Sequence, residues 1–266
     1  MHPVAFRNPF GNTSQPSHIV AIIPARYQST RFPGKPLADI AGRSMIEHVY
    51  RRAASAPGVD AVVVATDDPR IALTVEGFGG IVRMTRSIHR TGTDRIAEVA
   101  SDLECEIVVN VQGDLPVIEP DMIAQVLQPF DTDPAARMST LRRLMTDPAD
   151  NRNPNVVKVV VDQKGHALYF SRAPIPFVRR SVFEEPGFSL PAYKHIGLYA
   201  YRREFLLRLT SLPQTPLEVA ESLEQLRVLE NGFRIHTVET QFESIEVDTP
   251  EDIDRVRRQL TAETRA

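Results

Sequence analysis

Residues 18–35 read HIVAIIPARYQSTRFPGK, an apolar, β-branched run that leads into a basic loop. The run stops at Pro24, and this pattern predicts a buried β-strand. The loop carries Arg26, Arg31 and Lys35. Exposed backbone N–H groups and fixed cations behind a strand can surround a polyphosphate. A basic surface loop without a ligand is the alternative, which the position after the first strand disfavours.

Strand and helix patterns alternate after this loop. Strands are predicted at 61–66, 81–84 and 107–111, and helices at 44–54, from Pro69 onwards and at 93–101. Such alternation favours an α/β fold with a mostly parallel sheet flanked by helices. In such a sheet, ligands bind at the carboxyl ends of the strands.

The second half of the chain changes pattern. Strands are predicted at 138–144, 156–161, 167–170 and 195–201, and helices at 216–231 and 250–260. Because no full helix separates each pair of these strands, we expect a β-rich insertion at about 136–202 within a single domain of residues 18–266. The stretch 181–192 contains two prolines and one glycine and is expected to be a mobile loop.

Composition is that of an ordinary folded protein. Hydrophobic residues make up 42% and charged residues 24%, and 31 basic and 34 acidic residues give a formal charge of −3. This balance favours neither nucleic acid nor a membrane as a partner. No apolar run approaches the roughly 18 residues that cross a bilayer. The lone Cys105 cannot form an internal disulfide, which suits a reducing compartment. The stretch 1–17 is expected to be a disordered extension rather than a signal peptide. Both features favour a cytoplasmic location.

Two acidic residues follow predicted strands and complete a candidate site. Asp114 ends the segment VNVQGD at 109–114, and Asp248 lies in EVDTPED at 246–252. Carboxylates that face a bound triphosphate are explained if Mg²⁺ lies between them. Each residue has a structural alternative, since Asp114 can cap a turn, and Thr249 or Asp248 can cap the helix that begins near Pro250.

Two other signals are interpreted as structural. The glycines of GFGG at 77–80 precede a strand, whereas a dinucleotide-binding glycine loop follows the first strand, so a helix C-cap explains them. The seven histidines show no metal-ligand spacing, and no zinc site is expected.

Taken in order, the motifs resemble those of the 3-deoxy-manno-octulosonate (KDO) cytidylyltransferases, also called CMP-KDO synthetases. The similarity runs from about residue 19 to about residue 258 and includes IIPARYQSTRFPGKPL, VVVATDD, MTRSIHRTGTDRIAEV, VNVQGDLP, ALYFSRAPIPF, YKHIGLYAYR and VDTPEDIDRV. The resemblance implies a nucleotide-diphospho-sugar-transferase-like fold, a Mg²⁺ cofactor and a homodimer that uses the β-rich insertion. It also implies a nucleotidyltransferase of lipopolysaccharide biosynthesis. Such an enzyme transfers CMP from CTP to the anomeric hydroxyl of KDO and releases pyrophosphate.

The resemblance assigns roles to single residues. The catalytic residues would be Arg26, Lys35, Asp114 and Asp248, of which the two basic residues hold the CTP phosphates and the two aspartates ligate Mg²⁺. The nucleotide would also contact Ala25, Arg86, His89, Thr91, Thr93 and Arg95. The sugar would contact Gln112, Arg172, His195, Tyr199 and Glu221, with Arg172 a candidate for its carboxylate.

One position departs from the family pattern. Members usually read Gln-Gly-Asp-Glu-Pro, where this chain has Leu115 in place of the glutamate. Two alternatives stay open: a cytidylyltransferase for another acidic sugar, such as a sialic acid or 8-amino KDO, and a catalytically silent nucleotide-sugar-binding protein. The intact Asp114 and Asp248 argue for an enzyme.

Overall fold

A computed structural model of the chain describes residues 18–28, 32–177, 179, 191–243 and 245–265. The predictions about residues 1–17, about Arg31 and about most of the loop at 181–192 therefore fall outside the described residues. The strands are β1 Ile19–Ala25, β2 Asp39–Ile40, β3 Arg43–Ser44, β4 Ala61–Thr66, β5 Val82–Met84, β6 Ile107–Asn110, β7 Met138–Leu144, β8 Lys158–Val161, β9 Ala167–Ser171, β10 Tyr193–Arg202 and β11 His236–Glu239. The helices are α1 Met45–Ala54, α2 Pro69–Gly77, α3 Gly92–Ser101, α4 Pro120–Thr132, α5 Pro148–Arg152, α6 Arg203–Ser211, α7 Pro216–Glu221, α8 Gln225–Glu230 and α9 Pro250–Arg265, with a short 3-10 turn at Lys35–Leu37.

The described residues form two compact units. Unit 1 holds the residues up to Ala124, Leu198–Thr210 and the residues from Phe242 onwards. Its strands β6, β1, β4 and β5 are parallel neighbours in that order, and the second half of β10 runs antiparallel to β6. Helices α1 and α2 pack on β4, and α3 packs on β1. The predicted α/β fold with a mostly parallel sheet flanked by helices is confirmed.

The central strands of unit 1 are apolar on both faces. Ala21, Ile22 and Ile23 of β1 have 0% exposed surface, as do Val64 of β4 and Val109 of β6. A parallel sheet covered by helices needs apolar side chains on both sides, which explains the uniform β-branched runs in the sequence.

Helix α9 packs against the same unit. Ile253 and Val256 join Met45 and Val247 in one buried apolar cluster. This packing fixes Val247, and therefore the residue that follows it in the chain. None of the described helices is long and apolar enough to span a membrane.

Unit 2 holds Gln125–Gly197 and Ser211–Gln241. In it β7 pairs in parallel with β11, β8 pairs antiparallel with β9, and the first residues of β10 pair antiparallel with β8. The predicted β-rich insertion at 136–202 overlaps this unit, which also takes in α7, α8 and β11 from later in the chain.

The single helix predicted at 216–231 is wrong, because the chain forms two helices there. Ser222 has φ 53° and ψ 48°, the left-handed conformation, and this residue ends α7. Glycine or asparagine usually occupies such a position, so a serine gives no sequence signal for the break. The glycines at 77–80 do end a helix: Gly79 has φ 80°, and the Gly80 N–H donates to the Val75 carbonyl at 2.8 Å.

A buried ion pair joins α7 to α8 across this break. Glu218 is 3% exposed and Arg227 is 8% exposed. The Arg227 Nε donates to one Glu218 carboxylate oxygen at 2.8 Å, and Nη2 donates to the other. Although burial opposes it, the hydrogen bonds from Arg227 and from the Thr215 N–H lower the pKa of Glu218.

Glu218→Gln is expected to lower the free energy of unfolding by about 3–5 kcal/mol, because it leaves a buried guanidinium without its carboxylate. Urea denaturation at pH 7 measures this loss. The exposed pair of Asp254 and Arg257 supplies the control, since Asp254→Asn should change the free energy by less than about 1 kcal/mol.

The difference in free energy of unfolding between wild type and Glu218→Gln should depend on pH. Because the folded protein lowers the pKa of Glu218, the stabilisation is present above the pKa of the unfolded carboxyl, about 4.3, and is lost as pH falls through the folded pKa. The stability gap between wild type and Glu218→Gln should therefore shrink in acid. Equal stabilities at pH 7 would contradict the prediction.

Candidate active site

A cluster of opposite charges lies in unit 1 beyond the ends of β1 and β6. The Lys35 Nζ lies 3.0 Å from Asp114 Oδ2 and 3.6 Å from Asp248 Oδ1, and it donates to the Val247 carbonyl at 2.7 Å. The Lys35 side chain is 14% exposed, whereas those of Asp114 and Asp248 are 30% and 39% exposed. Three charged residues from three separate motifs therefore meet at one point that solvent still reaches.

Backbone packing places Asp114 beside the end of β1. A Cβ added to Gly113 would lie 2.8 Å from the Pro24 carbonyl oxygen, closer than real Cβ atoms come to backbone. The Val247 N–H donates to the Asp114 carbonyl at 2.9 Å and ties the two acidic segments together. Glycine is needed at residue 113 because only a residue without Cβ lets these backbones approach.

Gly113→Ala is expected to lower kcat/KM by about a hundredfold, since a shift of about 1 Å in a catalytic group has that effect. The φ of Gly113 lies outside the left-handed region, so the cost is steric. Gly77→Ala is the matched control, because a Cβ there meets nothing within 4 Å. Steady-state kinetics of both variants, with thermal melting, measure the effect. Wild-type kinetics in Gly113→Ala would show that this approach is unimportant.

Asp252, in the first turn of helix α9, binds the two residues that precede the helix. Its carboxylate accepts from the N–H groups of Asp248 and Thr249, both at 3.0 Å, and from the Thr249 hydroxyl at 3.2 Å. Although burial opposes it, these bonds lower the pKa of Asp252. The Asp248 carboxylate approaches Lys35, and the capping alternative stays open. The strand predicted to end at Asp248 is wrong, because the described residues between β11 and α9 form no strand.

Neighbouring residues hold the basic loop after β1. The Arg70 guanidinium lies over the Tyr27 ring, 3.3 Å from its centroid, and forms an ion pair with Asp68 at 2.7 Å. The Arg26 Nη1 donates to the Arg90 carbonyl at 3.0 Å. A cation stacked on an aromatic ring and fixed by a carboxylate restrains the loop near its start.

Glu98 of α3 organises the segment that precedes this helix. Its carboxylate accepts from the Arg86 N–H at 3.3 Å, from Arg86 Nε at 3.3 Å and from His89. Burial opposes ionisation, yet the bonds from His89 and Arg86 lower the pKa of Glu98. The sequence analysis missed Glu98, whose only signal is its place in the motif TGTDRIAEV.

Arg95 and Thr91 support the same segment from within unit 1. Arg95 is 1% exposed, and its guanidinium forms an ion pair with Asp67 at 3.1 Å and donates to the Thr85 hydroxyl. The Thr91 hydroxyl caps α3 by accepting from the Asp94 N–H at 3.1 Å. Both residues thus have structural partners. Contact with a nucleotide remains a prediction for Ala25, Arg86, His89, Thr91, Thr93 and Arg95.

Gln112 and Tyr199, two of the predicted sugar contacts, lie together in unit 1. The Gln112 Nε2 donates to Asn110 Oδ1 at 3.2 Å, and Asn110 is the register partner of Tyr199 in the β6–β10 pair. Asn110 is 1% exposed, so it orients Gln112 from a buried position. The sequence analysis missed this role of Asn110.

Comparison with known proteins identifies the family. The family model described as Cytidylyltransferase matches residues 20–242. A 3-deoxy-manno-octulosonate cytidylyltransferase of Geobacter sulfurreducens is 57% identical over 248 residues, which cover 91% of this chain and 99% of that protein. The chain belongs to the cytidylyltransferase family.

Two further relatives of this cytidylyltransferase support the same family. The protein of the same name from Geobacter metallireducens is 56% identical and covers 91% of this chain and 98% of its own length. A solved structure of CMP:2-keto-3-deoxy-manno-octonic acid synthetase complexed with CTP is 45% identical, with a TM-score of 0.87, and covers 93% of this chain and all (100%) of that one. The resemblance inferred from the motifs is confirmed.

The cytidylyltransferase carries two other predicted sugar contacts, Arg172 and Glu221, in unit 2. The Glu221 carboxylate accepts from the Ser171 hydroxyl at 2.6 Å and from the Arg172 N–H at 2.9 Å. The Arg172 Nε donates to the Glu221 carbonyl at 2.9 Å, and Nη1 donates to the Pro154 carbonyl at 3.1 Å. Lys158, which is 0% exposed, donates to the Arg172 carbonyl. Glu221 therefore holds Arg172 in place.

His195, also in unit 2, is neutral at physiological pH. Burial lowers its pKa to about 3. The imidazole packs edge-on against Phe170, with ring centroids 5.0 Å apart, and its Nε2 lies 3.0 Å from the Thr140 hydroxyl. In this cytidylyltransferase His195 can exchange neutral hydrogen bonds, and it offers no charge to an acidic ligand.

Leu115, the one departure from the family pattern, belongs to the core of unit 1. It is 1% exposed, and its N–H donates to the Gln112 carbonyl at 3.3 Å. Burying a side chain of this size contributes about 1.5–3 kcal/mol. The turn that carries Asp114 thus has an apolar anchor, and the ion pair of Lys35 with Asp114 is present beside it.

Proposed function

We propose that this cytidylyltransferase transfers CMP from CTP to the anomeric hydroxyl of 3-deoxy-manno-octulosonate and releases pyrophosphate. The observation that carries the proposal is the meeting of Lys35, Asp114 and Asp248 in unit 1. The names of the relatives that are 57% and 56% identical support the sugar, and the CTP complex of the 45% identical protein supports the nucleotide.

Mg²⁺ is the proposed cofactor, held by Asp114 and Asp248. Carboxylate oxygens suit Mg²⁺, and both aspartates approach the same ammonium group, so they can reach one cation. Among the described residues, no three His, Cys, Asp or Glu side chains are grouped to hold a metal ion. This fits a site that phosphate oxygens and water complete. Mg²⁺ bound there would neutralise phosphate charge and lower the pKa of the attacking hydroxyl.

The residues of the chain supply alignment and charge. A bond forms between the anomeric oxygen and the α-phosphorus while the bond from that phosphorus to the pyrophosphate oxygen breaks, and the hydroxyl proton is released to water. Lys35 and Arg26 would stabilise the negative charge that accumulates on the departing pyrophosphate. Gln112 and Tyr199 of unit 1 would orient the sugar through neutral hydrogen bonds. A contact of Arg172 with the sugar carboxylate stays a prediction from the resemblance.

The family resemblance also supports a cytoplasmic homodimer that acts in lipopolysaccharide biosynthesis. In that proposal the β-rich insertion at about 136–202 contributes the contact between the copies. Light scattering coupled to gel filtration tests the dimer, which requires a mass twice that of the chain.

Pyrophosphate release with CTP and a panel of sugars tests the activity. KDO should be the fastest acceptor, ahead of 8-amino KDO and a sialic acid, and a hexose 1-phosphate should give no release. Fastest release with another acidic sugar would reassign the substrate. No release with any sugar acid, although CTP binds, would indicate a silent nucleotide-sugar-binding protein.

A further inference from the structure

Lys35 has three contacts that bear on how the metal and the nucleotide bind. Its ammonium lies 3.0 Å from Asp114, 3.6 Å from Asp248 and 2.7 Å from the Val247 carbonyl. The two carboxylates are the groups proposed above to hold the divalent cation. One ammonium group therefore lies beside both carboxylates that would hold the metal.

We propose that Lys35 is an exchangeable counter-cation, which competes with the divalent metal for Asp114 and Asp248 and moves to the triphosphate when the nucleotide binds. This inference rests on the proposed function, since it takes the same aspartates as the metal ligands. Its consequence is that metal and CTP bind together, each strengthening the other.

Repulsion between cations favours displacement of the Lys35 ammonium by the metal. Mg²⁺ lies about 2.0–2.1 Å from its ligand oxygens, well inside the distances that now separate Lys35 from the carboxylates. Two cations between the same pair of carboxylates would repel each other strongly at such a separation. Metal binding is therefore strengthened when the ammonium leaves at least one carboxylate.

The surroundings of Lys35 allow it to move by side-chain rotation. Gly34 has φ 73°, and its N–H donates to the Tyr27 carbonyl at 2.8 Å, which fixes the backbone next to the lysine. Pro36 is buried, so the other neighbour is also held. A lysine is a compact charge on a flexible stem of four carbons, and phosphate oxygens offer equivalent acceptors for the bonds it gives up.

The coupling between metal binding and CTP binding should be positive. With Lys35 in place, the two carboxylates and the ammonium present one net negative charge to an incoming metal. Once the lysine is drawn to a phosphate, both carboxylate charges are available to the metal. By linkage, the factor by which CTP strengthens metal binding equals the factor by which the metal strengthens CTP binding.

Binding of Mn²⁺ to the full chain, followed by electron paramagnetic resonance of free Mn²⁺, tests the inference. Without nucleotide, Lys35→Met should bind Mn²⁺ about tenfold to a hundredfold more tightly than wild type, the range expected when charged hydrogen bonds no longer compete. CTP without sugar should tighten Mn²⁺ binding in wild type and have a much smaller effect in Lys35→Met. Lys35→Arg keeps the positive charge, so its Mn²⁺ binding without nucleotide should stay as weak as that of wild type.

Controls separate the failure of this inference from failure of the proposed function. Arg51→Gln removes an exposed cation of α1 in unit 1 that pairs with Glu47, and it should bind Mn²⁺ as wild type does. Equal affinity in wild type and Lys35→Met, with binding lost in Asp114→Asn, would overturn the exchange and leave the proposed metal site standing. Equal tightening by Arg51→Gln would also overturn the exchange. No Mn²⁺ binding in any variant, even with CTP, would overturn both.

Folding of the variant is checked in the same samples. Lys35→Met leaves two carboxylates without their cation, so Mn²⁺ should raise its melting temperature more than that of wild type. If Lys35→Met does not fold, Lys35→Gln removes the same charge with a polar side chain and carries the same expectation. Equal shifts in the neutral variant and wild type would contradict the exchange.

Discussion

Asp114→Asn and Asp248→Asn should each lower kcat/KM for CTP by about a thousandfold, the scale seen when a preorganised charge or donor is removed from a transition state. Asparagine keeps the shape of aspartate and removes the negative charge that would hold the metal. Both aspartates are within 3.6 Å of the Lys35 ammonium, so each faces the same point. Pyrophosphate release at saturating Mg²⁺ measures the loss.

Two controls make this result specific. Asp254→Asn removes a carboxylate from α9 that is 69% exposed and pairs only across the helix surface with Arg257, so turnover should not change. Thermal melting shows whether the Asp114 and Asp248 variants are folded. Near wild-type turnover in either folded variant would remove that aspartate from the catalytic machinery.

The strands of unit 1 were predictable because their signal is local. The runs at 18–24, 61–66 and 107–111 are mostly apolar and rich in β-branched residues, and such residues in a parallel sheet are buried on both faces. The predicted boundaries differ from β1, β4 and β6 by at most a residue. The helix predicted at 250–260 is α9, which continues to Arg265.

Three features without a clear local sequence signal were not predicted: strand β11, helix α4 and the break between α7 and α8. Strand β11 is only four residues, HTVE, and is defined by parallel pairing with β7, almost a hundred residues earlier. Helix α4 contains Pro129, which normally argues against a helix interior. The break between α7 and α8 depends on the left-handed Ser222 and on the buried ion pair of Glu218 with Arg227.

The charged residues of the candidate site were predictable from the sequence, but the side chains that orient them were not. Lys35 and Asp114 each follow a strand of one parallel sheet, and the carboxyl ends of such strands meet at one edge. Their contact could therefore be expected from the sequence. Asp67, Glu98 and Asn110 were missed, because an acidic or amide side chain that orients a neighbour is recognised only by its partner in the fold.

CTP should be preferred over ATP by about a thousandfold in kcat/KM, since a site built to hydrogen-bond one base rejects another by steric exclusion and by unpaired polar groups. The predicted base and ribose contacts are Ala25, Arg86 and the segment 89–95, so all but Ala25 lie between residues 86 and 95. Glu98 bonds Arg86 and His89 at one end of it, and the buried ion pair with Asp67 holds Arg95 at the other. UTP should be poorer than CTP because it replaces the exocyclic amine donor by an acceptor. Faster turnover with ATP would contradict the family assignment of substrate.

Glu98→Gln tests whether this segment sets nucleotide affinity. The amide cannot accept from Arg86 and His89 as the carboxylate does, so the segment should loosen and KM for CTP should rise about tenfold, the effect of losing one charged hydrogen bond, with little change in kcat. A purely structural role would lower the melting temperature and leave KM unchanged. Glu76→Gln on α2 is the control, because Glu76 is exposed. Its KM for CTP should equal that of wild type, and an equal rise in both variants would show that surface charge, rather than the Glu98 contacts, controls nucleotide affinity.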